Sequence, residues 1–411
     1  MTDLKIEVDA AEVGLDAGRL ARIDAHFAKY VDDGRLPGWL ALVSRRGQIA
    51  HLSTYGRRDI ANDLPVELDT VFRMYSMTKP VTSVAAMMLW EEGAFELKDP
   101  ISRWLPEFND MRVYTAGSAA APATRPAMEP IRVWHLLTHT SGLTYGFHNS
   151  HPTDAIYRQR GYEWGSPAGV DLAGACEAWA SMPLTNDPGA EWNYVVSTDV
   201  LGRLVEVISG QTLDQFMAER IFTPLGMTDT GFFARPQQHD RLAELYVPHP
   251  ATRQAHAMPQ MGEGARAAPP FLSGGGGLVG TASDYHRFTQ MLRGGGQVDG
   301  VRLLSPRTLA YMTRNHLPAN ADLTAFGRPL FSETTFDGVG FGLGFSVVID
   351  PTANKVPSGL GTYAWGGAAS TAFWVDPVED ITVLFLTQLL PSSTHPIRTQ
   401  LQALVSQAIV A

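Results

Sequence analysis

Residues 70–89 read Thr70-Val-Phe-Arg-Met-Tyr-Ser76-Met-Thr-Lys79-Pro80-Val-Thr-Ser-Val-Ala-Ala-Met-Met-Leu89. Val81, Val84, Ala85, Met88 and Leu89 follow i, i+3, i+4, i+7, i+8 spacing, which predicts a buried helix ending at Gly93. Pro80 suits its first turn, where a missing N–H has no helical partner to lose. Ser76 and Lys79 stand three apart and share one face. A Ser–Lys hydrolase needs that spacing. Serine's hydroxyl is a poor nucleophile until a base takes its proton, and a lysine serves as that base where desolvation and nearby positive potential favour the neutral amine. The helix N-terminus supplies positive potential, and its free N–H groups can hold a developing oxyanion. The tetrad alone also fits a capping serine beside a surface lysine. Lysine is scarce, however, with 5 against 27 arginines, and this one opens the most apolar helix in the chain.

Around this helix the two ends of the chain read as halves of one sheet-and-helix unit. Leu20, Ile23, Phe27 and Val31 mark an amphipathic opening helix within residues 15–31. Strands at 40–44 and 49–54 flank Arg45-Arg46-Gly47-Gln48, a hairpin turn. Near the other end, 343–349, 362–375 and 381–387 are strand-like, Asp376-Pro377 with Glu379-Asp380 turns the last two into a hairpin, and a closing helix follows Pro396. Between the halves, 115–130 is rich in Ala, Gly, Ser and Pro and reads as a linker-like loop. Helical candidates follow at 133–138, 171–181, 197–210 and 213–222, and a loop-rich passage at 248–277 leads back. The pattern predicts an α+β fold. Residues 1–115 and 270–411 would form a discontinuous sheet domain, with 116–269 a mainly helical insert.

Composition bounds the function. The chain has 411 residues, 32 basic and 42 acidic, a net charge of −10 and 45% hydrophobic residues, enough for a large core. The acidic balance argues against nucleic acid or an anionic membrane surface as partner. The single cysteine, Cys176, excludes an intrachain disulfide and any Cys-clustered zinc site, and its Ala-rich surroundings read as a buried helix. No stretch near the N-terminus resembles a signal-peptide core, and no apolar run is long enough to span a bilayer, so the expected location is cytoplasmic.

Other motifs carry less. No Gly-x-Ser-x-Gly pentapeptide occurs, so the α/β-hydrolase nucleophile elbow is absent. Gly275-x-Gly277-x-x-Gly280 formally matches a dinucleotide fingerprint, but it follows Pro269-Pro270-Phe271-Leu272-Ser273 rather than a clear strand. His135 and His139 stand four apart without the glutamate of a zinc hydrolase, and core or capping roles are expected for them. Tyr145, Phe147, Tyr157 and Trp164 fit pocket walls and ordinary packing equally well.

Five segments, in order, carry a resemblance. Ser76-Met-Thr-Lys79 resembles the first motif of class C β-lactamases, penicillin-binding proteins and related esterases. His135-Leu-Leu-Thr-His-Thr-Ser-Gly142 is similar to a signature of that superfamily. Pro188-Gly-Ala-Glu-Trp-Asn-Tyr194, followed by Leu201-Gly202, resembles the segment of its second catalytic motif. Gly274-Gly-Gly-Gly-Leu-Val-Gly-Thr281 and Trp365-Gly366-Gly367 match later landmarks. The resemblance implies a β-lactamase-like fold, with a central antiparallel sheet flanked by helices and an inserted helical domain. It further implies that Ser76 is the nucleophile, Lys79 its proton acceptor and Tyr194 the tyrosine that shares protons with Lys79. The backbone N–H groups of Ser76 and Ala368 would form the oxyanion hole, with Trp365, Gly366 and Gly367 lining the substrate.

Two departures bear on substrate. The tyrosine motif reads Tyr194-Val195-Val196 where the superfamily has Tyr-x-Asn, and Trp365 stands where β-lactamases have the lysine of Lys-Thr-Gly. Loss of the amide and of the carboxylate-holding cation disfavours β-lactams and peptidyl D-alanine, whereas an indole offers apolar surface. Both changes resemble the family VIII carboxylesterases and a fungal statin acyltransferase. The implied activity is that of a serine carboxylesterase acting on small or medium uncharged esters, with water or an alcohol as acyl acceptor and no metal or organic cofactor. A β-lactamase or D-alanyl peptidase, a dedicated acyltransferase and a non-catalytic binding or filament-forming relative remain the alternatives. The natural ester and the oligomeric state are open.

Overall fold

A computed structural model describes residues 4–328 and 336–411. Residues 1–3, at the start of the acidic N-terminal stretch, lie outside the described residues. Helix α1 (Ala17–Asp32) begins where the Asp16 carboxylate accepts the Arg19 N–H at 2.8 Å. It buries Leu20, Ile23, Phe27 and Tyr30 along one stripe. Strands β1 (Gly38–Arg45) and β2 (Gln48–Asp59) form the expected hairpin, and Arg46 and Gly47 supply two positive φ angles at its tip. Short strands β3 (Leu64–Pro65) and β4 (Phe72–Arg73) lead into helix α2 (Thr78–Glu91), whose residues 78–89 are all buried.

The middle of the chain departs from the sequence-based reading at its start. The Ala/Gly/Pro-rich stretch is not a loop but an exposed hairpin of β5 (Arg112–Ser118) and β6 (Ala121–Pro126), with a register shift between Tyr114 and Ala116. Its composition suits a loop, yet its carbonyls and N–H groups pair across the ladder. Helices α3 (Val133–Leu137), α4 (Leu172–Ala180) and α5 (Ser197–Ser209) follow where expected. The stretch from Leu213 bends into a π turn at Ala218–Phe222. Cys176 is buried in α4, and burial pushes its thiol well above the ordinary range.

Strand β7 (Val279–Gly280) pairs with β4, and helix α6 (Ala282–Arg293) follows. Strands β8 (Val339–Phe341), β9 (Ser346–Val348), β10 (Tyr363–Gly366), β11 (Ala372–Asp376) and β12 (Ile381–Leu386), then helix α7 (Ile397–Ser406), complete the fold. The single strand expected over 362–375 is two strands. Ser370, at φ 66°, reverses the chain, and its hydroxyl donates to Leu389 O at 2.7 Å. Nothing in Gly-Gly-Ala-Ala-Ser signals that turn, because the contact that holds it comes from elsewhere in the chain.

The antiparallel sheet runs β8-β9-β10-β11-β12-β1-β2-β3, so β1, near the start of the chain, pairs with β12, near its end. Strand β1 is buried on both faces. Leu40 and Leu42 join the large core built around α2 and α6, while Trp39, Ala41 and Val43 join the core beneath α1 and α7. No helix among the described residues is long and apolar enough to cross a membrane.

Phe385 of β12 anchors the second core, with ring centroids 4.8 Å from Phe27 and 6.1 Å from Trp39. Phe385→Ala should cost about 3–5 kcal/mol of stability by urea denaturation. A loss below about 1 kcal/mol would show that this contact does not hold α1 to the sheet.

Candidate active site

Ser76 is placed by a strained turn. Pairing of β4 with β7, with the Met74 N–H on Leu278 O at 2.8 Å, carries the chain to Tyr75, which adopts φ 46°. A non-glycine residue in this left-handed region costs roughly 1–3 kcal/mol. The reversal lifts Ser76 to the mouth of a cavity and lets α2 begin two residues later.

Lys79, one turn along the same face, is only 2% exposed. A buried amine needs partners. Lys79 Nζ donates to Gly275 O at 2.7 Å, lies 3.2 Å from the Tyr145 hydroxyl and 3.4 Å from Ser76 Oγ, and sits 4.4 Å from the centre of the Tyr194 ring. Tyr194 OH donates to Ser76 Oγ at 2.5 Å. Ser76, Lys79 and Tyr194, 118 residues apart at the extremes, therefore meet as the sequence led one to expect. Hydroxyl contact between Lys79 and a tyrosine falls to Tyr145, while Tyr194 reaches Ser76 itself.

The glycine tract is a wall of this site. Thr82 Oγ1 of α2 donates to Gly274 O at 2.7 Å, and Thr78 Oγ1 accepts the Leu278 N–H at 3.1 Å, which aims the Gly275 carbonyl at Lys79. A Cβ on Gly275 would come within 2.6 Å of Asp199 Oδ2 and 3.0 Å of the Tyr145 hydroxyl. The fingerprint spacing thus reflects close packing of backbone against side chains.

Asp199 is a residue that sequence reasoning missed, and Tyr145 was named there only as an aromatic for a pocket wall or for packing. Asp199, on α5 and 3% exposed, accepts Ser273 Oγ–H at 2.6 Å and the Gly275 N–H at 3.0 Å, and shares the space beside Gly275 with the Tyr145 hydroxyl. Burial raises the carboxyl's pKa, opposed by the Lys79 charge and these hydrogen bonds. Burial first, and then the Asp199 charge, hold the Tyr145 phenol well above its ordinary range. The phenol stays protonated, and its oxygen accepts from Lys79 Nζ at 3.2 Å. Tyr145 stands three residues past Gly142 of the histidine signature and Asp199 five past Tyr194, a proximity to motifs that was the available signal.

Tyr194 is braced from two sides. His139 O accepts the Asn193 N–H at 2.9 Å, His139 Nδ1 accepts the Val195 N–H at 3.4 Å, and His148 Nε2 contacts the Tyr194 carbonyl. Burial, then the Lys79 charge, depresses the His139 pKa well below normal. His135 caps α3 by accepting the Arg132 N–H at 3.0 Å, and burial lowers its pKa to about 3. Both histidines fill the core and capping roles expected of them.

Trp365 packs 5.5 Å from the Tyr194 ring and 5.4 Å from Phe341. Gly366 and Gly367 lead into the β10–β11 turn, where Gly367 lies so close to the Ser76 segment that a Cβ would collide with Met74 O and Thr371 Oγ1. Ser76 and Ala368 both line the same cavity. Neither the Ser76 nor the Ala368 N–H meets an acceptor among the described residues. The cavity of about 850 Å³ is lined mainly by apolar and aromatic groups. Tyr145, Phe147 and Trp164 stack along one wall, with centroids 4.7 and 4.9 Å apart, whereas Tyr157 is core.

If Ser76 is the acylated nucleophile and Tyr145 and Asp199 act on Lys79 as one chain, Tyr145→Phe and Asp199→Asn should each slow acylation roughly 10–100-fold. The double variant should then be no slower than the worse single one. Additive losses in stopped-flow measurements of the acylation rate would separate the two residues.

The beta-lactamase family model matches residues 23–407. The chain is 33% identical over 397 residues to the esterase EstB of Burkholderia gladioli, covering 92% of this chain and 93% of that protein. Among solved structures, EstCE1, a hydrolase with promiscuous acyltransferase activity, superposes with a TM-score of 0.80 at 28% identity over 94% of this chain and 98% of its own. A mutant of simvastatin synthase from Aspergillus terreus gives 0.81 at 26% identity over 97% and 98%. With the serine, lysine and tyrosine gathered at one cavity on this sheet, the chain belongs to the beta-lactamase family and stands, in sequence and fold, beside esterases and acyltransferases of that fold.

Proposed function

We propose that the protein is a serine carboxylesterase acting on small or medium uncharged esters through an acyl-serine at Ser76. One observation carries this reading: Ser76 Oγ lies 2.5 Å from Tyr194 OH and 3.4 Å from Lys79 Nζ, at the mouth of an apolar cavity. With Lys79 as the neutral amine, Ser76 Oγ attacks the ester carbonyl carbon and its proton passes to Lys79 Nζ, either directly or by relay, the Tyr194 hydroxyl taking the serine proton as it hands its own to Lys79. The carbonyl oxygen, now an oxyanion, is received by the N–H groups of Ser76 and Ala368. Collapse of the intermediate breaks the bond to the alkoxy group, which takes the proton and leaves as the alcohol. Water then adds to the acyl-serine as Tyr194 and Lys79 take its proton, and loss of the acid restores Ser76. Trp365, Gly366 and Gly367 flank the bound ester.

The size of the cavity favours a second acceptor as well. About 850 Å³ has room for an alcohol beside the acyl group, and attack by that alcohol makes the same cycle an acyl transfer. The EstCE1 description, a hydrolase with promiscuous acyltransferase activity, supports this extension. A β-lactamase reading has less support, since the buried Val196 holds the position of the motif amide and Trp365 that of the cation.

Ser76→Ala should lower turnover of a short p-nitrophenyl ester by about 10⁴-fold or more and abolish the acyl adduct seen by intact mass. Faster turnover of a chromogenic cephalosporin than of the ester would overturn the esterase reading. No adduct with any acyl donor would favour a non-catalytic relative.

A further inference from the structure

We propose that Arg398 is a positioning residue that aims the Ala368 N–H at the oxyanion, an inference resting on the assignment of that N–H to the oxyanion hole. Arg398 is the second residue of α7. A cation there faces the positive end of the helix dipole, so the helix itself gives no reason for an arginine. Two of its hydrogen bonds lie across the gap, at the β10–β11 turn. A Cβ on Gly366 would collide with the Arg398 guanidinium, so this glycine is the space the arginine occupies. Arg398 Nη2 donates to Gly367 O at 3.0 Å and to Thr371 O at 3.2 Å.

The first of these bonds bears on the chemistry. Gly367 C=O and Ala368 N–H are the two ends of one planar trans peptide and point in opposite directions. Holding the oxygen on the side of Arg398 turns the N–H toward the side of Ser76. The cation also draws electron density from the carbonyl, which strengthens the N–H as a donor. The second bond locks the turn, because Thr371 O also accepts the Gly367 N–H at 2.9 Å. Gly367 also rests against Met74 O of the segment that carries Ser76, where a Cβ would collide with it. The peptide is therefore held by Arg398 and packed against the backbone that carries Ser76.

The cavity also reaches Arg398, which makes a substrate-carboxylate anchor the rival role. Kinetics separate the two. For a neutral p-nitrophenyl ester, Arg398→Gln should lower kcat about 10–100-fold and leave KM within about threefold. Affinity for an alkyl trifluoromethyl ketone, which adds to serine as a tetrahedral oxyanion, should fall by a similar factor. Arg398→Lys, which keeps the cation, should recover part of both losses. Arg398→Met keeps the packing of the stem and decides the matter if the glutamine variant does not fold. Unchanged kcat and ketone affinity in a folded Gln or Met variant would overturn the proposal. So would a rise in KM confined to esters bearing a carboxylate. If the ketone fails to add to Ser76 in the wild-type protein, the esterase reading itself falls. If it adds there and binds the Arg398 variants equally well, only the role of Arg398 falls.

Discussion

The hydrogen bond from Lys79 Nζ to the Gly275 carbonyl organises the site. An amine buried this deeply must find hydrogen-bond partners, and the three around it come from three separate parts of the chain: the α2 turn, the segment after α3 and the glycine tract. Each partner makes its own demand. The Gly275 carbonyl can turn to Lys79 only while its own position lacks a Cβ, because Asp199 and Tyr145 fill the adjacent space. Tyr145, held protonated by burial and by the Asp199 charge, offers its oxygen to Lys79. Asp199, buried, stays satisfied through Ser273 and the Gly275 N–H. The lysine, the tract and the Tyr145–Asp199 pair form one closed network, in which removing a member leaves buried polar groups without partners.

Geometry at this site is obtained at the expense of backbone comfort. Tyr75, His139 and Ser370 all adopt left-handed conformations without being glycine, at φ 46°, 55° and 66°. Tyr75 precedes Ser76, His139 braces the Tyr194 segment, and Ser370 closes the turn that carries Ala368. Each is held by contacts made after the chain has folded: the β4–β7 ladder, the Asn193 and Val195 N–H groups, and the Leu389 carbonyl. The two doubly covered cores supply the stability against which such strain is tolerated.

These same long-range contacts mark how far the sequence could be read. Periodicity placed α1, α2 and the β1–β2 hairpin well, because apolar spacing and an Arg-Gly turn are local signals. Ser76 and Lys79 were legible because they share one helix face, and Tyr194 because a resemblance supplied what spacing could not. The break between β10 and β11 left no mark, since Ser370 is an ordinary residue held by a distant carbonyl. The β5–β6 hairpin was hidden by a composition that suits loops. Tyr145 looked like any pocket-wall aromatic, and Asp199 like any polar residue in a helix. What distinguishes them is burial against Lys79, a property of the assembled fold.

On the proposed function, an acyl group on Ser76 presents its oxygen to the N–H groups of Ser76 and Ala368. A crystal structure of the protein after reaction with an alkyl p-nitrophenyl phosphonate tests it directly. The expected result is phosphorus bonded to Ser76 Oγ, with the phosphoryl oxygen about 2.7–3.1 Å from both nitrogens. Phosphonate on another residue, or a phosphoryl oxygen turned toward Lys79 and Tyr194, would contradict the account.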